Sequence, residues 1–137
     1  MQQYHEHHES EEFKLLRQAD SFCLDTFRLI KNTDIFPKNA RWLGLYEVTK
    51  ILNDFHTKVY KANNIAVTST ATKEIRLALI EEAYADIKTL GEKMNFLLRV
   101  FEFDVNKLDK WLANKGRMQA VVSAWKNSEA LRYKDVG

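Results

Sequence analysis

The sequence predicts an all-α protein folded as an antiparallel up-down-up-down four-helix bundle, and three observations predict it. Four glycines and one proline in 137 residues leave few positions that break a helix, against a background rich in the good helix formers Leu, Ala, Lys, Glu and Arg. Apolar residues recur at alternating three- and four-residue steps in four separate segments, the spacing of one helical face. Short polar links join the segments, and short links make consecutive helices antiparallel neighbours, packed at about 20° in the usual bundle.

In the first segment, Leu15, Leu16, Ala19, Phe22, Cys23, Thr26, Leu29 and Ile30 form a wide stripe between Glu11 and Lys31. Asn32, Thr33 and Asp34 supply turn residues, and Pro37 disfavours helical backbone in the residue before it, so the first helix stops there. A second helix is expected directly after Pro37, with Lys38 and Arg41 at its start and Leu45, Val48, Leu52, Phe55, Val59 and Ala62 as its buried seam. Asn63 and Asn64 close it, and Thr70 in the following polar loop is the expected N-cap of the third. Ile80, Ala83, Ile87, Leu90, Met94, Leu97 and Phe101 carry the same rhythm through that third and longest helix. Its Gly91 costs about 1 kcal/mol against alanine in mid-helix and so marks a close crossing or a bend. Asp104 is the expected cap of the fourth helix, whose apolar face is Leu108, Trp111, Leu112, Met118, Val121, Val122 and Trp125. Lys115 interrupts that face and must run its stem to an edge, meet another subunit, or mark a change of phase near Gly116.

Length fits one domain, assigned to residues 11–132, between a flexible polar tail at 1–10 and a frayed end at 133–137. A chain of this size buries roughly two thirds of its unfolded surface and needs neither disulfide nor metal to fold. A lone cysteine, no leader pattern at Met1 and no long apolar run make a soluble protein of the cytoplasm the expectation.

Sites of chemistry are sought next. The sequence holds no glycine-rich phosphate loop, GxSxG, HExxH or CxxC, and no Glu-x-x-His pair of the kind that di-iron bundles place on facing helices. No enzyme activity, cofactor or metal is therefore expected. His5, His7 and His8 with Glu6 and Glu9 read as a solvated tail, since a metal site needs groups behind its ligands to orient them. His56 reads as a boundary residue, because Asp54 beside it points to another face and general acid-base work needs a partner in hydrogen-bond reach. Cys23 reads as a small core residue.

Charge is more informative. Residues 1–36 hold seven acids and four bases, net −3, so with the chain at +2 the remainder carries +5. Lys38, Arg41, Lys50, Lys58 and Lys61 lie along the second helix, the last three spaced to share a broad face. Lys107, Lys110, Asn114 and Arg117 share a face of the fourth, where Lys126 follows. Such ridges suit a phosphate backbone, although lysine-rich faces are often no more than solvated surface.

Two segments resemble the accessory variability determinant (Avd) family, helical-bundle partners of the reverse transcriptases of diversity-generating retroelements, which are akin to bundle proteins encoded in intervening sequences of bacterial ribosomal-RNA genes. One is Phe36-Pro37-Lys38-Asn39-Ala40-Arg41; the other is Gly116-Arg117-Met118 with Trp125, preceded by Phe96-Leu97-Leu98-Arg99. The resemblance spans Phe13 to Asn127. It implies a barrel-like homopentamer without catalytic activity of its own, whose basic surface binds the reverse transcriptase and its template RNA and supports complementary-DNA synthesis in mutagenic retrohoming. Lys38, Arg41 and Arg117 fall at basic positions of that family. The alternative it leaves open is a structural bundle of the intervening-sequence type with no polymerase partner.

Overall fold

The structure, a computed structural model, describes residues 11–102 and 104–137. The predicted tail at 1–10, with its three histidines, lies outside the described residues. Among the described residues four α-helices follow one another: α1 (Glu11–Lys31), α2 (Leu45–Asn64), α3 (Thr70–Val100) and α4 (Asp109–Arg132). Two single 3-10 turns, Lys38–Arg41 and Val105–Leu108, precede α2 and α4, and no strand occurs among the described residues. No helix among them is long and apolar enough to cross a membrane.

Each helix packs on its neighbours in the chain, and α1 closes the ring against α4. Side-chain pairs run in opposite directions along both seams of α3. Glu47 meets Lys93 and Lys58 meets Asp86 between α2 and α3, while Glu81 meets Lys126 and Arg76 meets Glu129 between α3 and α4. The helices are thus antiparallel, with α1 diagonal to α3 and α2 diagonal to α4. The turn before α2, the end of α3 and the start of α4 share one end of the bundle; the end of α2, the start of α3 and the end of α4 share the other.

The seam of α2 is buried at every predicted position, and so is that of α3 from Ile80 to Leu97. Phe101, the last expected member, instead caps α3 and is half-buried. Apolar residues at this period gather on one side of the helix, and removing them from water supplies the main driving force of folding. At the meeting of α1, α2 and α4, Phe22 stands edge-on to Phe55 (6.3 Å, 85°) and lies nearly parallel to Trp111 (6.1 Å, 29°). The polar atoms in this layer are satisfied: Trp111 Nε1 donates to Thr26 Oγ1 at 2.8 Å, and Thr26 Oγ1 donates to the Phe22 carbonyl.

Several boundaries differ from expectation. Lys38 and Arg41 do not open α2. They sit on the separate 3-10 turn, because Gly44 at φ +140° breaks the backbone and the α-helix begins only at Leu45. A Cβ at Gly44 would lie 2.4 Å from Leu97 Cδ2, so both the conformation and the space require glycine. The cap of α3 is Ser69 and not Thr70: Ser69 Oγ accepts from the Thr72 amide while Thr72 Oγ1 accepts from the Ser69 amide, a reciprocal capping box. Asp104 caps the 3-10 turn before α4, accepting from the Asn106 amide. Tyr133–Gly137, expected to fray, turns back on α3, where Lys73 Nζ donates to the Val136 carbonyl at 2.9 Å. The Arg76 guanidinium lies over the Tyr133 ring.

Two oddities of the sequence explain each other. A Cβ at Gly91 would lie 2.9 Å from Lys115 Nζ and 3.0 Å from its Cε. The lysine therefore runs its stem across the bare backbone of α3 and donates to Gln119 Oε1 at 3.2 Å. Gly91 makes the room that Lys115 fills.

Candidate nucleic-acid interface

The nine cations proposed from sequence do not form one ridge. Lys58 and Lys126 both turn toward α3. Lys58 bonds Asp86 at 2.8 Å; burial pulls its ammonium down, but the bond and charge of Asp86, with Glu82 and Asp54, outweigh this and raise its pKa. Lys126 reaches Glu81 and lies over the Tyr84 ring at 5.1 Å. Arg117 bonds Asn114 and lines a cleft of about 300 Å³ between α1 and α4, together with Arg17 and Asp25.

Lys38, Arg41, Lys50, Lys61, Lys107 and Lys110 are exposed and make no ion pair among the described residues. Lys50 and Lys61 are spread along α2. Lys38, Arg41, Lys107 and Lys110 instead meet at one end of the bundle, on the diagonal corners of α2 and α4. Asp34, Glu102, Asp104 and Asp109 are exposed at the same end, so the positive charge is local to the two corners rather than uniform.

The α2 corner carries more than charge. Trp42 is 89% exposed and Tyr46 77%, and with Lys38 and Arg41 they line a cleft of about 630 Å³. Leu43 and Phe96 extend the apolar surface across to α3, where the Glu47–Lys93 ion pair fences it. The turn that carries these groups is well held. Phe36 and Ala40 are buried in the core, the Trp42 amide donates to the Asn39 carbonyl and the Leu43 amide to the Ala40 carbonyl. Rigid backbone thus holds two aromatic rings and two cations out in water. Sequence reasoning missed the rings: Tyr46 lies next to the seam residue Leu45 and so off the buried face, but Trp42 precedes the Gly44 kink, where the rhythm of α2 assigns no face.

A polar cluster bridges α1 and α2. His56 Nε2 lies 2.8 Å from Asp20 Oδ1, and Tyr60 Oη donates to Asp20 Oδ2 at 2.8 Å. His56 is half-buried, as a boundary residue should be, but it does have a partner. That partner comes from another helix and was invisible beside Asp54. The hydrogen bond to Asp20, with burial second, raises the Tyr60 pKa. Burial, with the Asp20 charge second, pushes the Cys23 thiol up to about 12, so it stays protonated and a poor nucleophile. No group of His, Cys, Asp and Glu among the described residues is arranged to hold a metal.

Comparison of the chain with protein-family models, with curated proteins and with solved structures finds no match in any of the three.

Proposed function

We propose that this chain is a non-catalytic accessory subunit that binds a reverse transcriptase and its template RNA in support of complementary-DNA synthesis. The observation that carries the reading is the placement of Lys38, Arg41, Lys107 and Lys110, four exposed cations at one end of the bundle without ion-pair partners among the described residues. Cations already paired gain little from a phosphate, whereas unpaired ones release counterions from the nucleic acid when they bind it. The resemblance of the Phe36–Arg41 and Gly116–Met118 segments to the Avd family supplies the polymerase and the template RNA as partners. It also supplies the pentamer, in which repeated copies of a small basic corner would act as one multivalent surface.

The test is RNA binding by fluorescence anisotropy as a function of salt. Affinity should fall steeply as salt rises, and changing Lys38, Arg41, Lys107 and Lys110 together to glutamate should abolish binding while the helical circular dichroism is kept. Binding that survives the fourfold change would refute the reading. Co-purification with a reverse transcriptase encoded beside this chain tests the polymerase half, and its failure alongside intact RNA binding would favour the structural-bundle alternative.

A further inference from the structure

We infer that the α2 corner is a base-stacking site for single-stranded RNA, in which Trp42 and Tyr46 take the bases and Lys38 and Arg41 take the flanking phosphates. The inference rests on the RNA-binding reading above and gives that surface a strand preference.

Large aromatic rings are usually buried, because few side chains remove more apolar area from water. The other two tryptophans obey this: Trp111 and Trp125 are 6% and 8% exposed, and their Nε1 atoms donate to Thr26 Oγ1 and Glu129 Oε1. Trp42 departs from it with no ring or hydrogen-bond partner for its side chain among the described residues. Nor does it sit on a loose loop that could fold it away. Its turn is pinned by Phe36 and Ala40 below and by the glycine kink at Gly44 above.

Charge identifies the occupant. Among the described residues the cleft is lined by Lys38, Arg41, Trp42 and Tyr46, two cations and two rings without a carboxylate. On their other side the same two rings line a second cleft with Leu43 and Phe96, where the only charges among the described residues, Glu47 and Lys93, pair with each other. Flat rings beside unpaired cations match a polyanion whose bases are free to stack, since every base offers a π-face and every linkage a phosphate. A duplex keeps its bases stacked on one another and offers this corner only phosphates. Single strands should therefore bind more tightly than duplex of equal length.

Because Trp42 is the exposed one of three tryptophans, its emission reports the site directly. The experiment titrates the full chain with an oligouridylate of about 12 nucleotides and with an RNA duplex of similar length, following tryptophan fluorescence and anisotropy of the labelled RNA. The single strand should quench the emission and bind more tightly than the duplex. Trp42→Ala should weaken single-strand binding about tenfold or more, Trp42→Phe should restore most of it, and neither should change the salt slope. Lys38→Glu with Arg41→Glu should instead lower the slope by one to two phosphates' worth.

Equal RNA affinity in Trp42→Ala and the unmodified chain, or duplex bound as tightly as single strand, would overturn the stacking site and leave the RNA-binding reading standing. Absence of any RNA binding would overturn both. A smaller solution mass for Trp42→Ala, with buried-type Trp42 emission in the RNA-free protein, would show the corner to be an interface between copies and also overturn the inference.

Discussion

The two ends of this bundle are built on opposite terms. At one end the buried polar groups are matched to one another. Arg76, buried at the start of α3, donates through Nε and NH2 to the two Glu129 oxygens at 3.1 and 2.9 Å, and through NH1 to the Ala62 and Ile65 carbonyls where α2 ends. Trp125 Nε1 adds a third donor to Glu129, and the turn at Tyr133–Gly137 folds over the assembly. At the other end Lys38, Arg41, Trp42, Tyr46, Lys107 and Lys110 are exposed, with no such partners among the described residues. The first end uses its buried charges to join three helices, and the second leaves its cations in solvent.

That contrast can be broken most forcefully at Glu129. Glu129→Ala strands the Arg76 guanidinium in the interior, and urea unfolding should register a loss of about 3–5 kcal/mol. Replacing Arg76 and Glu129 together by Met and Leu should cost clearly less, since no buried charge is then left unpaired. A small effect of Glu129→Ala would mean the closed end is not the clamp described. Next in size is Gly44→Ala, which forces a side chain into φ +140° and against Leu97; thermal and urea unfolding should show about 1–3 kcal/mol lost. Such a loss would sharpen the comparison by showing that the open end is rigid in its backbone and open only in its side chains. Smallest is Trp42→Ala, which should leave unfolding within about 0.5 kcal/mol of the unmodified chain. A large loss there would place Trp42 among the packing residues and erase the distinction between the ends.

The sequence showed the closed core well and the two ends poorly, for a physical reason. Leu52, Phe55 and Val59, or Ile80, Ala83 and Ile87, announce their burial because helical period alone decides which face they occupy. Arg76 and Glu129 pair across 53 positions, and no local pattern encodes a partner so far away. Yet both continue their seams, Arg76 four residues before Ile80 and Glu129 four after Trp125, and a charge kept on a buried seam signals a partner. Lys115 obeys the same rule, with Gly91 as its complement. The basic corner was half legible. Lys38 and Arg41 stood out by charge, but their removal from α2 depends on the backbone at Gly44, and a single glycine near a helix start does not announce a positive φ. The spread of Lys58 and Lys126 toward α3 was hidden as well, since helical spacing gives the face of a long side chain and not the acid it reaches.

The seam between α1 and α4 has a kinetic side. Its hydrogen bond from Trp111 to Thr26 joins residues 85 apart, whereas Arg76 reaches Ile65 across only 11. Closing the longer loop costs about 2 kcal/mol more chain entropy, so the α2–α3 hairpin has the advantage at the outset and the outer seam is closed late. The clefts between α1 and α4 lie along this outer seam.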